Sequence, residues 1–141
     1  MAKNELKILI GMHRCMNDLD RKSANILKPY GLTLPQFSVL EALYHKGDLC
    51  IGSLTKCILS SSGTIPIIIN GLIKRGYIER YSDVNDKRRS FLHLRDEGRV
   101  LIEKVYPLNE AMIIKELAIY SDSQQIQLVE LLKQYQTSIK Q

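Results

Sequence analysis

A proline two residues into a run of isoleucines most restricts what this 141-residue chain can become. Residues 64–76 read TIPIIINGLIKRG. Proline is tolerated in a helix only in its first turn, because it has no N–H and its ring clashes with the turn before it. Pro66 therefore predicts a helix that starts at Gly63 or Thr64. Ile65, Ile68, Ile69, Leu72 and Ile73 then recur at three- and four-residue spacing, which gathers them on one buried face. Lys74-Arg75-Gly76 closes the element, with cations at the negative end of the helix dipole and glycine as the stop. Upstream, residues 52–59 predict a shorter helix with Leu54, Cys57 and Ile58 on one side and Lys56 facing out. Ser60, Ser61 and Ser62 between the two can each cap the second helix by accepting from its free N–H groups. Two helices joined by a tight turn form a helix-turn-helix, whose second helix can enter the DNA major groove.

The next stretch turns to β patterning. Residues 78–81 are β-prone, residues 82–89 are charged and turn-rich, and residues 90–94 alternate so that Leu92 and Leu94 share a face. The tip of this hairpin carries Lys87, Arg88 and Arg89 in succession. A short basic element of this kind can reach a phosphate or a narrow minor groove. The net charge is +5 overall, but its distribution says more: between Lys74 and Arg89 six cations face three anions. Helix-turn-helix and basic hairpin together read as a winged helix-turn-helix.

Four segments in order carry a family resemblance: GLTLPQFSVLEAL (31–43), the SSGT helix, LIKRGYIER (72–80) and DVNDKRRSFLHLRDEG (83–98). The chain resembles the MarR family of bacterial transcription regulators over nearly its whole length. The resemblance implies DNA contacts from Ser62, Thr64, Pro66, Ile67, Asn70 and Lys74 of the recognition helix and from Lys87, Arg88 and Arg89 of the wing. It gives Asp86 the role of orienting the neighbouring arginine through a charge-assisted hydrogen bond. Relatives commonly place a hydroxyl and then an arginine where this chain has Pro66 and Ile67. Thr64 and Asn70 retain hydrogen-bonding capacity toward bases or phosphate, and Ile67 suits a thymine methyl. The alternative is that Ile67 is buried and the register is shifted by one. In either case the helix carries few cations, so affinity leans on the wing. Arg95 stands where relatives have a capping threonine, and Asp96 is expected to cap the following helix instead.

The rest of the chain supplies helices. One is expected from about Glu5 to Lys28, ended by Pro29-Tyr30-Gly31. Thr33 and Gln36 form a capping-box pattern ahead of a helix that buries Phe37, Leu40 and Leu43, and His45-Lys46-Gly47 ends it. A long helix from about Glu97 to Ile119 is lined by Val100, Leu101, Val105, Leu108, Met112 and Leu117, with a kink or break expected at Pro107. Ser121 and Gln124 form another capping box, opening a last helix in which Ile126, Val129, Leu132, Tyr135 and Ile139 recur. These outer helices carry more apolar surface than a winged helix needs, and a symmetric dimer would bury it.

The expected fold is thus mainly α with a small β-hairpin wing, a winged helix-turn-helix flanked by N- and C-terminal dimerisation helices. Residues 1–141 form one domain, with the winged core at about 33–97 and dimerisation helices at about 5–28 and 97–139. The expected partners are double-stranded DNA and a second copy of the chain, on a palindromic operator and most often in repression. The resemblance adds a small aromatic or amphipathic effector between the dimerisation helices and the DNA-binding lobe, with His13 and Arg14 as candidate pocket residues. Cys15, beside these two, is a candidate redox sensor, because nearby cations lower a thiol pKa. Cys50 and Cys57 read as packing residues. Three cysteines without a CxxC pair fit a reducing cytoplasm, and no apolar run is long enough for a membrane span. No catalytic motif or paired zinc-ligand spacing is present, so neither an enzyme nor a cofactor is expected. A competing reading, motivated by the apolar Pro66-Ile67 pair, is a winged-helix interaction module that modulates another regulator without reading DNA.

Overall fold

The computed structural model describes residues 3–58 and 64–139. Helix α1 (Asn4–Leu27) runs into a 3-10 turn (Lys28–Tyr30) and then α2 (Leu34–Lys46). A two-residue strand β1 (Leu49–Cys50) leads into α3 (Ile51–Cys57), and α4 (Ile65–Lys74) follows. The hairpin is β2 (Ile78–Ser82) and β3 (Ser90–Leu94), and α5 (Asp96–Leu117) and α6 (Asp122–Ser138) complete the chain. The strands form one antiparallel sheet in the order β1-β3-β2, with Leu49 opposite Leu92 and Ile78 opposite Leu94.

Local chemistry explains most boundaries. At α2 the Gln36 N–H donates to Thr33 Oγ1 (3.3 Å) and the Thr33 N–H donates to Gln36 Oε1 (3.0 Å), the reciprocal box expected there. The same pair of bonds opens α6 from Ser121 and Gln124. Gly31 adopts a left-handed φ of 68° after the 3-10 turn, a conformation that costs a side-chain-bearing residue. Gly98 serves a different purpose: a Cβ there would lie 2.2 Å from the Tyr77 carbonyl oxygen, so only glycine lets α5 lie against the start of β2.

The core lies where α2, α4, the sheet and the first half of α5 meet. Leu40, Leu43, Leu54, Ile69, Leu72, Ile78, Leu92, Ile102 and Val105 are all fully buried there, and Leu27 joins them from the end of α1. Burying a side chain of this size contributes about 1.5–3 kcal/mol, which is why the isoleucine face of α4 holds its position.

Several expectations require correction. β1 was not foreseen; two residues give no alternation to read. α3 begins at Ile51, capped by the Cys50 thiol, which accepts from the Ser53 N–H. Asp96 does not cap α5. Arg95 occupies that position without a side-chain cap bond, its N–H donating to the Tyr77 carbonyl, while Asp96 and Glu97 lie inside the first turn. There their charges favour the positive end of the dipole. Pro107 causes no break, and α5 continues through it to Leu117. Pro107 and Glu103 both lie on the exposed side of the helix. The buried positions of α5 are Gly98, Ile102, Val105 and Asn109, whereas Val100 and Leu108 face out.

The peripheral helices bury little. α1 buries only Ser23 and Leu27, and α6 buries nothing. Leu6, Leu9, Ile10, Met12 and Met16 on α1 are exposed, as are Ile126, Val129, Leu132, Tyr135 and Ile139 at the other end of the chain. α1 is tied to α5 by Lys22, which reaches Glu116 at 2.7 Å and Asp18 at 2.9 Å.

Candidate nucleic-acid interface

The amphipathic pattern of α4 determines what it can present. Ile65, Ile68, Ile69 and Leu72 are buried, so Pro66, Ile67, Asn70 and Lys74 form the solvent stripe. Ile67 is 73% exposed, which excludes the shifted register in which it would be buried. Thr64 is exposed at the N-cap position. Ser62 lies outside the described residues. Lys74 is the one cation of the stripe among the described residues. Arg75, one position on, turns away: its guanidinium donates to the carbonyls of Gly31 and Tyr30 and lies over the Tyr77 ring at 4.9 Å.

The wing is shaped by its aspartates. The Asn85 N–H donates to Asp83 Oδ1 at 3.0 Å, and the Arg88 N–H donates to Asp86 Oδ1 at 3.0 Å, two local turns of the Asx type. Asp83 N–H to the Arg89 carbonyl (3.0 Å) closes the loop across its base. Arg88 Nε donates to Asp86 Oδ1 at 3.1 Å and Nη2 donates to Oδ2 at 3.4 Å, while the Arg88 side chain stays 91% exposed. The Arg88 side-chain and backbone bonds hold the Asp86 carboxyl below the usual carboxylate range. Asp86 therefore holds the guanidinium of an arginine that remains exposed to solvent. Arg89 sits over the Phe91 ring at 5.5 Å, and Phe91 stacks on Tyr81 with centroids 5.6 Å apart. Lys87 is exposed at the tip.

Two features of the wing base were missed. Asp48, just before β1, accepts from the Tyr81 hydroxyl at 2.8 Å and pairs with His93 Nδ1 at 2.7 Å, bracing both wing strands from one carboxylate. Burial opposes its charge, but the bonds from His93 and Tyr81 outweigh that and keep the carboxyl below its ordinary value. Cys50 is more than packing. Hydrogen bonds from the Ser53 hydroxyl and N–H, with Arg89 nearby, bring its thiol down to about 7. The Asp48 brace depends on β1 pairing with β3, whereas the Cys50 setting is mainly local, a thiol at the α3 N-cap bonded to Ser53. Cys57 keeps a structural setting, accepting from Lys46 Nζ at 3.2 Å and donating to the Ser53 carbonyl at 3.3 Å.

The remaining candidates lie elsewhere. His13, Arg14 and Cys15 are exposed on α1, and neither His13 nor Arg14 lines the clefts between α2 and α5. Among the described residues no cluster of three or more His, Cys, Asp or Glu side chains could hold a metal, and no helix is long and apolar enough to cross a membrane.

Comparison with known proteins places this arrangement. The Bacillus subtilis HTH-type transcriptional regulator YkoM is 31% identical over 120 residues, covering 85% of this chain and 78% of that protein. The HTH-type transcriptional regulator MhqR of the same organism is 27% identical over 141 residues, covering 100% of this chain and 97% of its own length. The MepR–DNA complex of S. aureus superposes with a TM-score of 0.81 at 20% identity, covering 99% of this chain and 100% of MepR. The sequence pattern of the SarA/Rot transcriptional regulators matches residues 21–105, and with the winged architecture in place the chain belongs to that family, as a MarR-like winged helix-turn-helix regulator and not an enzyme.

Proposed function

We propose that this protein is a homodimeric, sequence-specific DNA-binding regulator that represses transcription from a palindromic operator. The observation that carries the reading is the pairing of an outward stripe on α4 with an arginine aimed by Asp86 at the wing tip. The stripe supplies base-edge contacts from Thr64, Asn70 and Ile67 in the major groove, with Pro66 beside them. Lys74, Lys87, Arg88 and Arg89 supply the phosphate and minor-groove attraction. The exposed apolar faces of α1 and α6 support a twofold dimer, whose recognition helices would meet half-sites about 34–36 Å apart. An amphipathic effector that prefers the DNA-incompetent arrangement would relieve repression.

Selection of bound duplexes from a random library tests this directly, with Arg88→Ala/Arg89→Ala as control at two salt concentrations. The expected result is a palindrome that the double variant fails to enrich. No enrichment, with the variant behaving as wild type, would sink the reading. The exposed Ile67 keeps one competitor in view, a module that docks on another regulator through this apolar face. A steep fall of DNA affinity with salt discriminates against it, since phosphate neutralisation releases counterions.

A further inference from the structure

Between α2 and α5 lies a cleft of about 260 Å³. Phe37 and Ile113 give it apolar walls, and Glu41, Tyr106, Asn109 and Glu110 bring the polar groups. Asn109 is only 6% exposed, and its Oδ1 is the one buried side-chain polar atom without a partner among the described residues. A buried amide oxygen left unpaired is costly, and native structures seldom keep one without a use. The two carboxylates converge on the same phenol: burial first, then the bond to Glu110 and the charges of Glu110 and Glu41, push Tyr106 ionisation up. Among the described residues no lysine, arginine or histidine lines the cleft, although the His45 ring packs edge-on against Tyr106 at 4.8 Å from outside it.

We propose that this cleft binds a small organic cation with an apolar body, its charged N–H donors meeting Glu41, Glu110 and Asn109 Oδ1 and its body resting on Phe37 and Ile113. An amidinium or ammonium satisfies all three acceptors, and the Tyr106 and Phe37 rings add attraction for a desolvated cation. An aromatic carboxylate would meet two like charges and an acceptor it cannot serve. Control of repression by this ligand rests on the DNA-binding reading above; occupancy of the cleft does not.

The test uses the full chain without DNA, titrated calorimetrically with benzamidine and with benzoate, its anionic counterpart of similar shape. One benzamidine per chain is expected, with benzoate at least tenfold weaker. Glu41→Gln/Glu110→Gln should weaken benzamidine at least tenfold, and Asn109→Leu severalfold while melting no lower than wild type. Equal binding of the two probes, no saturation by benzamidine, or unchanged affinity in the double variant would overturn the proposal. A marked loss of thermal stability in Asn109→Leu would also overturn it, because the amide would then already be paired, for instance across a dimer. Since no DNA is present, the outcome leaves the operator selection to succeed or fail on its own.

Discussion

α4 and the wing stand side by side, yet they are held by opposite means. α4 is positioned by burial: its inner face is isoleucine and leucine in the core, and its outer face carries Lys74 as its cation. The wing tip buries almost nothing and is positioned by hydrogen bonds that Asp83 and Asp86 accept at the turn and Asp48 at the base. A helix held by packing can present a neutral surface without losing its place. A charged loop needs carboxylates to shape it, and one of them, Asp86, also holds the Arg88 guanidinium. The lesson is that stability and charge are separated in this interface.

That separation can be broken most forcefully from the α4 side. Leu72→Ala removes a fully buried side chain and should cost about 2–5 kcal/mol, read as an earlier denaturant midpoint, with DNA binding lost as the lobe loosens. Asp86→Ala should do the reverse, leaving the melting temperature nearly unchanged while operator affinity falls on the order of tenfold and the salt dependence becomes shallower. A drop in stability matching the drop in affinity would refute the division between the two regions.

Acid sharpens the comparison further. The Asp48 carboxyl is held below the ordinary aspartate value of 3.8, so its bonds to His93 and Tyr81 contribute fully above that value. The contribution is lost as pH falls below 3.8 through the lower folded value, because the folded state must then take up a proton against those bonds. Denaturant titrations across that range should show a flatter acid limb for Asp48→Asn than for wild type. Near the same strand, alkylation of Cys50 should rise through a pH of about 7, and Ser53→Ala should move that midpoint upward. The smallest expected change is Ile67→Ala, within about 0.5 kcal/mol in stability because the side chain is 73% exposed. Its effect should appear only in which operator sequences are selected.

The sequence made α4 and the wing readable for different reasons. The isoleucine spacing and Pro66 constrain a helix locally, and the Asp86-Lys87-Arg88 order constrains a turn locally, so both emerged as expected. The capping boxes at Thr33 and Ser121 were legible on the same grounds. What depended on distant pairing was not legible. β1 exists only because Leu49 and Cys50 meet Leu92 and Phe91, and that meeting brings Asp48 to His93 and Cys50 toward Arg89. The solvent-facing side of α5 at Val100 and Leu108 was misassigned because apolar residues occupy more than one stripe of that helix. The acidic cleft escaped notice because Glu41 and Glu110 lie on different helices and look like ordinary surface charges in the sequence.

Arg75 has a mechanical consequence. Its guanidinium grips the carbonyls of Tyr30 and Gly31, where α1 has just ended, while its backbone terminates α4. The 3-10 turn that ends the outermost helix and the helix that faces the groove are therefore joined by a single side chain. Arg75→Ala would remove that link and leave α1 and α4 to shift independently of each other.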